Sequence, residues 1–255
     1  MIKNTRIAVA LIVSIGVVLA AYFLGSSFKN RNEGTDSISV VGLGKKDFVS
    51  DQIYWQSTFS TTGSDIKQAY NQILADQNVI STFFTSKGFK TSEFTFGKVS
   101  FSKRYREVRI ENPTDKYGTA YESIFAGYTA TQTIIFQAKK NTELMNRIEQ
   151  VSSKTAELVN SGIELNSNRI QYTYSDLPSL KHSLIENATA DANERVKKIV
   201  EKADGSLGKL KNAKLGVFQI TGQGSIVEDS YGGNFDVYSK NKSARITVRL
   251  EYQLD

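Results

Sequence analysis

The chain has 255 residues, of which 40% are hydrophobic and 23% charged, a globular composition that excludes wholesale disorder and is large enough to bury a core without staples. It has no cysteine and a single histidine, His182, which excludes disulfides, thiolate zinc sites, iron–sulfur clusters, cysteine nucleophiles, multi-histidine metal sites and most histidine relays. Of the net charge of +6, the first 35 residues carry +3 (four Lys or Arg against one Glu), so the remainder is too close to neutral to be a nucleic-acid footprint.

Residues 7–24 read IAVALIVSIGVVLAAYFL, eighteen residues without a charge. At 1.5 Å per residue they would span about 27 Å, close to the roughly 30 Å hydrocarbon thickness of a bilayer. Lys3 and Arg6 precede the run, and a positive flank stays cytoplasmic, so the remainder is expected to be exported. A cleaved signal wants a short apolar run followed by a small-residue site. Here Ala20 and Ala21 lie inside the run and Gly25, Ser26, Ser27 and Phe28 follow it, which favours an uncleaved anchor. The expected organisation is an N-terminal transmembrane helix in 1–24, a polar linker in 25–36 and an extracytoplasmic domain in 37–255. That domain would be held at the cytoplasmic (inner) membrane, or secreted to the periplasm if the segment is cleaved.

Beyond Asp36 the hydrophobic period switches between two and about 3.6. Val49, Ile53, Trp55 and Phe59 share one parity and predict a strand over 49–62. Thr62-Gly63-Ser64 ends it, with Ser64 placed to cap a helix carrying Ile66, Ala69, Tyr70, Ile73, Ile80, Phe83 and Phe84. Gly88 closes that helix, and a strand follows near 92–102 with Gly97 as a bulge. The order then recurs: a Thr-rich strand over 128–138, a helix through Leu144, Ile148, Val151, Leu158 and Val159 that stops near Gly162, and a strand through Ile170, Tyr172 and Tyr174. Two β-α-β units in this order predict an α+β fold with a ferredoxin-like antiparallel sheet. An added long helix over 179–204, a short strand over 214–220 and a strictly alternating strand over 244–254 complete it. Segments 106–124 and 222–241 read as long loops.

Three segments carry a family resemblance. ISVVGLGKKDFVSDQ (38–52) is similar to an opening strand with a V-x-G-x-G turn. The helix 186–210 matches an A-x-x-D-A-x-x-[KR] pattern ending in G-x-x-L-G, met by Ala188, Asp191, Ala192, Arg195, Gly205, Leu207 and Gly208. The alternating strand 244–254 is the third. Together they resemble the SIMPL-domain family of bacterial envelope proteins (YggE-like and Brucella periplasmic immunogenic protein-like). Val49-Ser50-Asp51 departs from the Pro-Asp common after the glycine turn, Val196 and Val200 replace helix alanines, and 222–241 is peculiar to this chain. The resemblance implies an exported α+β protein with no established catalytic residues; no cofactor or metal is expected, and Gly42, Gly44, Asp191, Gly205 and Gly208 read as structural. It also implies homo-oligomers and a role in envelope or oxidative stress tolerance.

Other motifs have plainer readings. Gly42-Leu43-Gly44 before Lys45-Lys46 lacks the third glycine and the following helix of a dinucleotide site, so it reads as a strand-end turn. Ser64-Asp65-Ile66-Lys67 and Ser206-Leu207-Gly208-Lys209 fit S-x-x-K without the elements that accompany a serine nucleophile. His182 sits four residues before Glu186 on a helix face and reads as solvated, with pH sensing as the functional alternative. Asp191 among alanines reads as a packing anchor. Lys103, Arg104, Arg106 and Arg109 around Tyr105 read as a solvated strand end, or as the ligand-binding residues for an acidic envelope polymer. Tyr231, Phe235 and Tyr238 are candidate interface anchors. The leading functional expectation is a membrane-anchored, oligomerising interaction protein that is not an enzyme. The alternative is a binding module for an acidic polymer or small ligand.

Overall fold

The computed structural model describes residues 14–26, 36–111, 119–225 and 232–254. Strand β1 (Ser37–Val49) alternates strictly, so Val40, Gly42 and Gly44 turn inward while Ser39, Val41, Leu43 and Lys45 turn outward. It pairs antiparallel along its whole length with β10 (Asn241–Leu254), Gly42 opposite Val248 and Gly44 opposite Ile246. The other edge of β10 is shared end to end by β9 (Gln219–Gly222) and β8 (Leu207–Leu215). Helix α4 (Leu177–Lys202) covers the inward face with Leu180, Leu184, Ala188, Ala192, Val196 and Val200, all buried. Its first turn holds Pro178, and the Asp176 carboxylate accepts the Ser179 N–H at 3.3 Å, an N-cap of the ordinary kind.

The fit of α4 to β1 depends on two missing side chains. A Cβ on Gly42 would lie 2.0 Å from the Ala188 carbonyl oxygen, and one on Gly44 would lie 2.1 Å from that of Leu184. The helix backbone therefore sits directly on the strand.

The second sheet is built from β2 (Gln52–Gly63), β3 (Phe94–Phe96), β4 (Ser100–Glu111), β5 (Thr119–Lys139), β6 (Asn166–Ser167) and β7 (Gln171–Thr173). β2 and β5 are central; β6 and β7 lie beyond β2, and β3 and β4 beyond β5. Two β-α-β units produce this order, with α2 (Ile66–Ser86) joining the first pair of strands and α3 (Thr142–Ser152) the second. Trp55, Phe59, Phe84, Phe89, Phe94 and Phe136 fill the core beneath α2. Gly88, at φ +89°, turns the chain out of α2.

The two halves meet around Asp51, whose carboxylate takes the Ser175 N–H at 2.7 Å and the Ser175 hydroxyl at 2.5 Å. Nearby, Lys240 pairs with Glu149 at 2.9 Å, and Tyr172 donates its hydroxyl to the same carboxylate at 3.0 Å. Burial and the Glu149 charge raise the Tyr172 phenol far above its ordinary range, so it stays a neutral donor.

Several expectations are corrected here. The transmembrane helix is not borne out. Residues 14–26 form helix α1, about 20 Å long with its side chains exposed, and among the described residues no helix is long and apolar enough to cross a membrane. Residues 7–13 of the expected span, and 27–35 of the expected linker, lie outside the described residues. The domain has two sheets rather than one with additions, because the opening strand pairs with the closing one. Gly42-Leu43-Gly44 is mid-strand, not a turn. The segment expected as a loop over 106–124 is strand on both sides of 112–118, which lie outside the described residues. Asp65, not Ser64, caps α2 by accepting the Gln68 N–H at 2.9 Å, while Ser64 donates its hydroxyl to Gln68 Oε1. The helix expected through Val159 ends at Ser152, and residues 155–161 form a 3-10 turn.

Candidate functional site

β5 is far longer than its central neighbour β2, whose last pair is Gly63 with Tyr128. Beyond that point β4 and β5 continue alone as a two-stranded arm, from Tyr105 opposite Phe125 to Glu111 opposite Thr119. Its length from Tyr105 is about 23 Å. The departure has a local cause. A bulge falls between Arg104 and Tyr105, and Gly127 takes φ +111°, where a Cβ would meet the Gly63 carbonyl oxygen at 2.2 Å. Arg104 Nη2 donates to the Ala126 carbonyl at 3.0 Å and closes the bulge.

The arm exposes large rings. Tyr121 is 63% exposed, Tyr105 53% and Phe125 46%. Cross-strand partners share a face, so Tyr105 with Phe125 and Arg109 with Tyr121 lie on one side. The Tyr105 and Phe125 rings meet edge to face at 5.9 Å, and Phe125 meets Tyr128 at 5.4 Å. Ile124, 38% exposed, is on the opposite side with Arg106. Neither edge of the arm is paired within the described chain, which leaves two rows of backbone donors and acceptors for another strand.

The sequence-derived basic residues are all on this arm or at its root, but they do not converge. Lys103 and Arg109 share the aromatic face, whereas Arg104 and Arg106 belong to the other, and Glu107 lies between Tyr105 and Arg109. The four cations are thus divided between two surfaces.

Other candidates resolve into structural bonds. Asp191 Oδ2 accepts the Leu43 N–H at 2.8 Å and pairs with Arg195 Nε at 2.9 Å. These two contacts hold its carboxyl below the ordinary aspartate range, the Leu43 bond contributing most. Gly205 donates its N–H to the Val200 carbonyl at 3.0 Å as α4 ends, after Asp204 at φ +53°, and Gly208 lies in β8. His182 is exposed on α4. Ser64 and Lys67 are both exposed at the start of α2, and Ser206 and Lys209 are exposed around the start of β8. Tyr231 lies outside the described residues; Phe235 and Tyr238 are exposed, and Arg169 stacks on the Tyr238 ring at 4.6 Å. Among the described residues no cluster of three His, Asp or Glu could hold a metal ion.

Sequence reasoning missed two features. The arm was hidden because 106–124, which holds most of it, read as a long loop. Lys242, 2% exposed at the buried end of the alternating strand, donates to the Asp236 carbonyl. Burial lowers its pKa against the opposing pull of Asp236. Its neighbours Tyr238 and Ser239 donate their N–H groups to Asp236 Oδ1 at 2.7 and 3.2 Å, so Lys242 sits beneath a folded turn.

A family model, SIMPL, described as a protein of unknown function (DUF541), matches residues 38–250. The chain belongs to the SIMPL family. The match begins in β1 and ends in β10, the two strands that close the first sheet, and the arm lies within it. No curated protein matches the chain.

Proposed function

We propose that this SIMPL-family chain is an extracytoplasmic interaction protein that self-associates through the β4–β5 arm and is not an enzyme. The observation that carries the reading is the arm itself: a ribbon continuing past the end of β2, with Tyr105, Tyr121 and Phe125 exposed and both edges unpaired among the described residues. Aromatic side chains give large contact area at low entropic cost and recur as interface anchors. Open strand edges offer main-chain bonding to a further strand. The family resemblance supports the location and the setting in envelope maintenance or stress tolerance. The non-enzymatic reading draws support from Asp191, Glu149 and Asp51, each committed to a structural contact.

Absolute mass by light scattering after size separation, at low and high salt, tests it. Wild type is expected as one discrete oligomer in both salts, because apolar burial is little screened. Changing Tyr105→Ser, Tyr121→Ser and Phe125→Ser together should give a monomer with unchanged thermal unfolding. A monomeric wild type, or an oligomer indifferent to these changes, would sink the reading.

A further inference from the structure

Helices α2 and α3 cover one face of the second sheet, the face that carries Trp55, Phe59 and Ile134. Its opposite face carries no helix among the described residues. Residues directly opposite on antiparallel strands share a face. There Thr58, Ser60 and Thr62 of β2 stand opposite Thr133, Thr131 and Thr129 of β5, and Ser100 and Ser102 of β4 extend the last two rows. Ser60, Thr62, Ser100 and Ser102 are exposed. Strands lie about 4.8 Å apart and successive rows about 6.8 Å apart, so the hydroxyls form a regular grid. Farther along the same face Tyr54 stands between Gln137 and Gln171, and its hydroxyl donates to Gln56 Oε1 at 2.6 Å.

No charge interrupts this grid. Lys139 and Arg104 stand at its two ends, and every ladder position between them on this face is uncharged. The outward face of the first sheet is the contrast, for Lys45, Lys214, Arg249 and Glu251 all lie on it. Depletion of charge distinguishes the centre of a binding surface from solvated surface. None of the exposed large apolar side chains lies between those two ends on this face, which disfavours a protein partner held by apolar burial. Within the described chain the hydroxyls of Ser60, Thr62, Thr129, Thr131 and Ser102 make no hydrogen bond, so each offers a donor and two acceptor sites.

We propose that this face binds a linear, uncharged polysaccharide bearing hydroxyl and acetamido groups. A sugar ring has C–H faces and a rim of hydroxyls, and each threonine sets a methyl beside a hydroxyl. The evenly spaced hydroxyls exchange hydrogen bonds with successive sugars, the methyls meet their C–H groups, and one sugar stacks on the Tyr54 ring. Gln137 and Gln171 flank that ring with amides that donate and accept at once, as an acetamido group does. The site does not depend on self-association by the arm.

Titration calorimetry of the full chain with chitohexaose, an uncharged oligomer of N-acetylglucosamine, tests the site. Wild type should bind with the same affinity at low and high salt, because no ion pair is involved. Changing Ser60→Lys and Ser102→Lys together should weaken binding about tenfold or more, since two ammonium groups would then have to be desolvated. Tyr54→Ser should weaken it about fivefold. The arm variant Tyr105→Ser, Tyr121→Ser, Phe125→Ser should bind as wild type does. Should the lysine variant unfold, Thr129→Val with Thr131→Val, which keeps the shape and removes two hydroxyls, should still weaken binding about threefold. Absence of wild-type binding, an affinity that falls as salt rises, wild-type affinity in the Tyr54 and threonine variants, or loss in the arm variant alone would each overturn the proposal.

Discussion

The two halves of the molecule each lay helix on antiparallel sheet, yet they are held together by opposite means. Beneath α2 the gap between layers is filled with volume: Phe136 stacks on Trp55 at 5.0 Å and meets Phe84 at 4.7 Å, Phe89 at 5.3 Å and Phe94 at 5.6 Å. Beneath α4 there is almost no gap. Ala188 and Ala192 face Gly42 and Gly44, and backbone rests on backbone. A volume-filled core fails when atoms are removed, because a cavity is left that the surroundings fill only in part. A contact-distance core fails when atoms are added, because carbonyl oxygens cannot step aside as a side chain can.

The largest expected effect is in the aromatic half. Phe136→Ala, at a fully buried position touching four rings, should cost about 3–5 kcal/mol, read as a lowered midpoint in denaturant unfolding. An equal loss from Phe136→Leu would break the comparison, since that change preserves most of the volume.

Next comes Gly42→Ala, the addition of one methyl. Its expected cost is about 1–3 kcal/mol, with the hydrogen-exchange protection of α4 falling while that of β2 and β5 is kept. Gly97→Ala is the control: its Cβ would meet nothing nearer than the Thr133 carbonyl oxygen at 3.5 Å, so an ordinary contact is made and little should change. If Gly42→Ala were as mild as Gly97→Ala, the close approach of α4 would not be a source of stability.

The same contrast explains which parts of the fold were legible in the sequence. Helical spacing through Ile73, Ile80 and Phe84, and the parity of Ile53, Trp55 and Phe59, are local signals, and they located α2 and β2 correctly. The pairing of β1 with β10 is separated by some two hundred residues and leaves no local trace, so a second sheet was invisible even though the alternation of β10 was plain. Gly42 and Gly44 were read as a turn because glycine's usual role is conformational, whereas here it is steric. The arm was obscured for a related reason. β-pairing without burial lacks the apolar alternation that marks a strand, and 106–111 carries only Val108 and Ile110 as aliphatics. Of the candidate site, the run of Lys103, Arg104, Arg106 and Arg109 around Tyr105 was visible as a cluster in the sequence, whereas Tyr121 and Phe125 were not singled out, and the division of the cations between two faces depends on a strand the sequence did not reveal.

The smallest expected effect concerns a polar contact that fastens α4 to β1. Asp191 reaches over to the Leu43 N–H, and its carboxyl titrates below the ordinary aspartate value of about 3.9. Folding therefore favours the ionised form. That contribution is in place above the unfolded value and is lost as pH falls through the lower folded value, when the carboxyl becomes protonated in both states. Asp191→Asn keeps an acceptor for Leu43 but removes the charge facing Arg195, and should cost about 1 kcal/mol at neutral pH. The cost should shrink towards zero once the medium is acid enough to protonate wild-type Asp191, so the two unfolding curves converge at low pH. A penalty independent of pH would place the effect in the shape of the side chain and not in its charge. The α4 interface would then be, like the aromatic core, a matter of packing alone.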